Sequence, residues 1–200
     1  MTEQFAYPLE LKFRIGTLAN DFTAKDANGH MVAYVRQKIM KLKSEVEIFK
    51  DTSKTELLYV IKADKVIGIN FNFMIYDAKG QELGRIFRKG MASIFKAHYE
   101  VWVGNLHVYT IREKNPWVKV WDALLGELPL LGILSAYLLH PAYRVLRVVN
   151  DEEVALVKKK PSFFGRKFSL TKSSPQLLPE EEGLLLVACM RMLLLERRRG

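Results

Sequence analysis

Lysine and arginine recur in three groups along the chain: Arg36, Lys38, Lys41 and Lys43; Arg85, Arg88 and Lys89; and Lys158, Lys159, Lys160, Arg166 and Lys167. Phenylalanines stand close to the second and third groups, at Phe87, Phe95, Phe163 and Phe164. Cations interleaved with rings suit an anionic phospholipid surface, where head groups attract the charges and rings settle at the interface. The formal net charge of +9 over 200 residues points to anionic partners in general. The competing reading is that these charges only solvate loops and blunt strand ends. Nucleic acid would draw on the same charges, but no nucleic-acid module is recognisable, so it is not the expected partner.

Other chemistry is weaker. His30, His98, His107 and His140 show no metal-ligand spacing. His98 and His107 are placed to face one another across a Gly104-Asn105 turn, but a histidine pair without a third ligand reads as structural. Neither a metal nor a cofactor is expected. The nucleophile-elbow, P-loop, dinucleotide and zinc-protease signatures do not occur. Asp26 and Asp77 belong to D-x-x-G, in which the aspartate caps its own turn. The single cysteine, Cys189, lies in an apolar run and reads as a buried small hydrophobe; one cysteine forms no intramolecular disulfide and fits a reducing compartment. An enzyme is therefore not expected. No basic segment followed by an apolar run opens the chain, so the expected location is cytoplasmic, with peripheral contact at the inner membrane face under the lipid reading.

The elements that must hold these residues follow a repeat. Phe22 to Gly29 and Phe73 to Gly80 each run an apolar strand into D-A-[NK]-G, spaced 51 residues apart, and a basic pair or neighbour follows each turn. A weaker third copy runs from Leu146 through Asn150-Asp151-Glu152 to Lys158-Lys159-Lys160. It arrives 73 residues after the second, and an apolar insertion at 117–140 accounts for the excess of 22. Leu9 to Ile15 alternates with period two, as a half-buried strand does. Val46–Phe49 with Leu57–Ile61, Ile67–Tyr76 with Leu83–Phe87, and His98–Val103 with Leu106–Ile111 read as further strand pairs. Short strands at regular spacing with turn signals predict an antiparallel all-β sandwich or barrel. The C-terminal run from Gly183 to Leu195 is apolar around nearly its whole circumference, with Pro179 and Glu180 to Glu182 before it and Arg197 to Arg199 after it, as a helix dipole favours. A helix apolar on all sides is either a membrane segment or fully surrounded by protein. Twelve apolar positions span only about 18 Å, and Arg191 interrupts them. The expectation is a helix, 180–196, threaded through a closed β-barrel.

Phe22-x-x-x-Asp26-x-x-Gly29 with Val32, Val35 and Lys38, then Tyr76-Asp77-x-x-Gly80 with Leu83, Ile86 and Lys89, then the Gly183–Leu195 helix: this order resembles the tubby C-terminal-like superfamily, specifically the LURP-one-related proteins, with phospholipid scramblases and tubby as distant members. The resemblance runs from about Leu9 to Leu195 apart from the insertion. It implies a single domain, 9–196, built as a mainly β, closed, about twelve-stranded antiparallel barrel around a central C-terminal helix. Tubby-like members bind phosphoinositides through basic surface residues, and scramblase-like members associate with membranes; most LURP-one-related proteins carry no established activity. This chain lacks the scramblases' cysteine-rich segment and their acidic D-x-D-x-D loop.

Two readings follow. In the first the chain is a non-enzymatic peripheral module that binds anionic phospholipid through Lys38, Lys41, Lys43, Arg88, Lys89, Lys158, Lys159, Lys160, Arg166 and Lys167. In the second it is a soluble scaffold. The 117–140 insertion is expected to be helical and outside the barrel. Its Leu124, Leu128, Leu131, Leu134 and Leu138 would pack on the barrel or meet a membrane or a partner protein.

Overall fold

Alternation decides the architecture. In β1 (Leu9–Phe13) and β4 (Glu45–Phe49) every second side chain is buried, so each strand gives one face to a core and one to solvent. The computed structural model describes residues 5–13, 19–38, 45–64, 71–88, 97–114, 141–161 and 166–196, with the side chains of 19–21 and 36–38 left aside. It contains ten further strands: β2 (Ala19–Lys25), β3 (Met31–Lys38), β5 (Leu57–Ala63), β6 (Phe71–Asp77), β7 (Glu82–Arg88), β8 (His98–Val103), β9 (Leu106–Glu113), β10 (Ala142–Arg147), β11 (Glu153–Lys160) and β12 (Lys167–Lys172). Each pairs antiparallel with its sequence neighbours, and β1 pairs with β12 to close the barrel. Closure leaves no unpaired edge to template aggregation. The 117–140 insertion lies outside the described residues.

Five hairpins lie at one end of the barrel. Each holds one residue with positive φ: Gly29 (84°), Lys54 (59°), Gly80 (81°), Gly104 (55°) and Asp151 (54°). Beside each turn the pairing slips, between Ala24 and Lys25, Ile48 and Phe49, Ile75 and Tyr76, Val101 and Trp102, and Val145 and Leu146. Such bulges sharpen the local twist, which a sheet needs in order to curl onto itself. The repeated D-A-x-G turns superimpose in chemistry. Asp26 Oδ1 accepts from the Asn28 and His30 amides at 3.0 and 2.8 Å; Asp77 Oδ1 accepts from the Lys79 and Gln81 amides at 2.9 and 2.8 Å. Gly29 and Gly80 occupy the left-handed position that any side chain would strain. The aspartates are turn caps, as their spacing predicts.

Helix α1 (Pro179–Glu196) follows β12. From Leu184 to Leu194 every residue is at most 7% exposed, including Cys189 and Arg191. These residues share one core with the inward side chains of the strands, among them Leu11, Phe22, Ile48, Ile61, Ile75, Ile86, Tyr99, Ile111, Val145, Val157 and Leu170. Burial pushes the Cys189 thiol up to about 12, which makes it inert packing rather than a nucleophile.

Polar contacts pin both helix ends. Glu181 accepts from the Tyr109 hydroxyl of β9, from the Leu178 amide at 3.0 Å, and from both ends of the Arg147 fork of β10 at 3.2 and 3.4 Å. Glu182, 1% exposed, accepts from Lys172 Nζ of β12 at 2.8 Å and from the Phe5 amide at 3.4 Å. At the other end the Tyr99 hydroxyl of β8 donates to Glu196 at 2.6 Å. Gly183 abuts Tyr59 of β5 so closely that a Cβ there would stand 2.5 Å from its hydroxyl. Arg191 lies over the Phe73 ring of β6, 3.8 Å from the centroid.

Two outcomes test this packing. Met190→Asp places an unpaired charge at a site with 0% exposure. That costs several kcal/mol, comparable with the about 5–15 kcal/mol of a whole domain. The variant is expected to lose cooperative thermal unfolding by circular dichroism; a chain ended at Glu182 that still melts cooperatively as a β-protein would overturn the assignment of the helix to the core. Glu181 supplies a pH test. Burial by itself would raise its carboxyl, but the hydrogen bonds from Tyr109, the Leu178 amide and Arg147 outweigh this and hold it below its ordinary 4.5. A depressed carboxylate stabilises above its unfolded value and loses that stabilisation as pH falls through the folded one. Glu181→Gln is therefore expected to cost about 1–3 kcal/mol at pH 7, and the gap to the parent protein should shrink below about pH 4.5 in urea melts. A gap independent of pH would refute the ionic role.

Candidate functional site

The antiparallel order sends alternate strand termini to the same end. Opposite the five hairpins lie the last residues of β1, β3, β5, β7, β9 and β11 and the first of β2, β4, β6, β8, β10 and β12. Members of all three basic groups reach that end. Lys38 ends β3, Arg88 ends β7, Lys160 ends β11, and Arg166 and Lys167 open β12. Lys41, Lys43 and Lys89 fall outside the described residues, as do Leu124, Leu128, Leu131, Leu134 and Leu138.

Register arranges the described cations more closely than their spacing suggests. Lys12 of β1 stands directly opposite Lys167 of β12, and Lys167 directly opposite Lys160 of β11. All three lie on the outer face, because Leu11, Phe13, Val157 and Phe168 on the same strands are buried on the inner one. Lys158 extends the row one level further, opposite Ser169. Directly opposed side chains have Cβ atoms about 4.5–5.5 Å apart, and like charges so placed destabilise a sheet. The compensation is slight. Glu10 approaches Lys167 Nζ at 3.9 Å, with both side chains partly exposed, a distance at which a surface pair is worth little. Among the described residues, Lys12, Lys158 and Lys160 have no ion-pair partner. Lys12 belongs to the row although it lies far from the basic runs; only strand pairing discloses it.

The other cations divide between faces. Lys159, opposite the buried Phe168, is turned toward the interior at the rim. Arg88 is only 9% exposed and lies on the inward face with Gly84 and Ile86, not on the surface that the basic run suggests. The period-two pleat explains the difference: within a strand, neighbouring cations cannot share a face.

On the outer face of β6, β7 and β8, Asn72, Arg85, Phe87, Glu100 and Trp102 line a groove of about 300 Å³. Arg85 sits over the Trp102 ring at 5.2 Å, His107 stacks on it at 5.1 Å, and Trp102 Nε1 donates to Glu100 at 3.2 Å. The cation and ring of the groove are thus already engaged with one another. His98 pairs with Arg112 and His107 with Trp102, so the tight Gly104-Asn105 turn keeps the two histidines from facing one another. Among the described residues no cluster of three or more His, Cys, Asp or Glu forms a metal site, and no helix is long and apolar enough to cross a membrane.

Comparison with known proteins agrees with this architecture. A crystal structure of a protein from Arabidopsis thaliana superimposes with a TM-score of 0.51 at 13% identity, covering 97% of this chain and 93% of that one. At that identity the likeness speaks for the fold. No curated protein matches the sequence. The family model described as LURP-one-related matches residues 31–182, from β3 into the first turn of α1. The match takes in both the second and third copies of the turn repeat and all three basic groups, and on it the chain belongs to the LURP-one-related family.

Proposed function

We propose that this protein is a non-enzymatic module, folded as one unit over 9–196, that docks on anionic phospholipid membranes through the end of its barrel opposite the hairpins. The observation that carries the reading is the row Lys12–Lys167–Lys160, with Lys158 beside it. Three ammonium groups set side by side across three strands oppose folding; an anionic surface is what turns that arrangement favourable. Lys38 and Arg166 add to the same end, and Lys41, Lys43 and Lys89 join the set in sequence. In this reading α1 fills the barrel lumen, which leaves the interior to packing and function to the rim. Its contacts to β5, β6, β8, β9, β10 and β12 support that placement. In the same reading the 117–140 insertion serves as an apolar anchor, its leucines meeting the membrane or a protein partner.

Co-sedimentation with phosphatidylcholine vesicles, with and without 30% phosphatidylserine, tests the assignment. Each lysine near an anionic surface contributes about 1 kcal/mol. Lys12→Gln, Lys160→Gln and Lys167→Gln together should weaken binding about 100-fold while leaving the melting temperature unchanged or raised. Binding should fall as salt screens the charges. Equal sedimentation with neutral and anionic vesicles, or a triple variant that binds like the parent protein, would sink the proposal.

A further inference from the structure

Two rows of outward side chains cross strands β6 to β9 side by side. Register sets Met74, Arg85, Trp102 and His107 in one row, and Asn72, Phe87, Glu100 and Thr110 in the next. The alternate residues of the same strands, Ile75, Ile86, Val101 and Ile111 among them, belong to the core. The groove of about 300 Å³ lies between the rows, lined by Asn72, Arg85, Phe87, Glu100 and Trp102.

Two polar groups of this groove are unanswered. Asn72 Nδ2 donates to Asp64 Oδ2 at 3.1 Å, which fixes which way the amide faces. Its Oδ1 is buried and accepts no hydrogen bond. A buried amide oxygen with neither a protein donor nor water is costly. Among the described residues no carboxylate pairs with Arg85. The Trp102 ring at 5.2 Å attracts its charge but offers no oxygen to its N–H fork. The rest of the groove is held in place. Glu100, 6% exposed, accepts from Trp102 Nε1 at 3.2 Å and lies 3.8 Å from His98 Nε2. His107 stacks on the Trp102 ring. The indole wall is therefore fixed before anything binds.

We propose that this groove binds a small aromatic carboxylic acid that carries a hydroxyl or N–H donor at the end of its ring away from the acid. Arg85 takes the carboxylate, Asn72 Oδ1 accepts from the donor, and the ring lies against Phe87 and Trp102. Each part answers one feature. A guanidinium fork fits a carboxylate. An acceptor without a donor calls for an O–H or N–H. Two aromatic side chains suit a flat apolar body. A volume of about 300 Å³ is at the low end for a small-molecule site and suits one ring with its substituents. Arg85 and Asn72 are diagonal neighbours across β6 and β7, about 7–8 Å apart, so acid and donor stand at opposite ends of the ligand. Glu100 in the same groove disfavours a second negative charge, which sets this ligand apart from a phosphate. The site uses no residue of the lysine row and does not depend on membrane docking.

Calorimetric titration of the full chain with para-hydroxyphenylacetate tests the site. Three analogues accompany it: phenylacetate lacks the donor, para-methoxyphenylacetate puts an acceptor in its place, and tyrosol lacks the acid. The expected Kd for so small a ligand is about 1 mM or tighter. Tyrosol in place of the acid, or Arg85→Gln, should weaken binding about 10–100-fold, as loss of a hydrogen bond to a charged group does. Phenylacetate and para-methoxyphenylacetate should bind about 3–10-fold more weakly than the hydroxyl compound. In Asn72→Ala the hydroxyl compound and phenylacetate should bind alike, because the partner that tells them apart is gone. Should either variant fold poorly, the parent protein gives the same answer: nuclear Overhauser contacts are expected between the ring protons of para-hydroxyphenylacetate and the Trp102 indole, whose resonance Trp102→Phe identifies. No saturable binding of para-hydroxyphenylacetate at about 10 mM, binding that Arg85→Gln retains in full, a hydroxyl preference that Asn72→Ala retains, or ligand contacts confined to other residues would overturn the site.

Discussion

A helix that is apolar on every face has to be covered on every face. Pro179–Glu196 offers Leu, Val, Ala, Cys and Met around its circumference from Leu184 to Leu194, with no polar stripe to leave in water. A single sheet face could bury only half of it. In the proposed reading the strand order answers this demand with twelve antiparallel neighbours that return to their start, each turning alternate side chains toward the core that the helix residues share. The helix and the closed sheet are thus one requirement met from two sides. The sheet's inward residues, Ile48, Ile61, Ile75, Ile86 and Ile111 among them, would be as poorly covered without the helix as the helix without them. Polar groups then fix where the helix stops sliding. Glu181 and Glu182 meet Arg147, Tyr109 and Lys172 at one end, and Glu196 meets Tyr99 at the other.

Much of this was legible because it obeys local rules. The D-A-[NK]-G pattern names a turn by its chemistry, and each copy makes the same two aspartate-to-amide hydrogen bonds. Period-two alternation exposed the strands of β1, β4 and β8–β9, and the apolar run with its acidic start exposed α1. Two of the five equivalent turns were less visible because Lys54 and Asp151 take the left-handed position that glycine holds in the others. The acids before the helix read as dipole partners; their engagement by Tyr109, Arg147 and Lys172 depends on residues up to 72 positions away and leaves no local trace.

The candidate site was legible in composition and illegible in arrangement. The three basic groups could be seen to follow the turns, and strand order does bring Lys38, Arg88, Lys160 and Lys167 to one end. Which of them share a face is a matter of pleat and register. Lys158 and Lys160 point out and Lys159 in; Lys167 points out and Arg88 in. Lys12 lies amid acidic and apolar residues in a quiet strand, and joins the row only because β1 closes on β12. A one-residue slip of any of these strands would exchange the faces and dissolve the row, so the bulged hairpins at the far end, which pin the register of β10–β11 and β2–β3, also determine the charge pattern at this one.

The two ends of the barrel therefore solve different problems. The hairpin end carries local solutions: a glycine or a tolerant residue at each positive φ, an aspartate oxygen for the amides of the D-A-x-G turns, an arginine fork for Glu181. At the other end like charges face one another across three strands and a guanidinium is buried with a ring for company. Local conflicts of that kind reduce stability and persist where something other than stability maintains them. Both conflicts are of one sign and lie at one end, and in the proposed reading an anionic surface answers them. In that reading the turn caps and helix-end contacts of the hairpin end supply stability that the like-charged opposite end gives up.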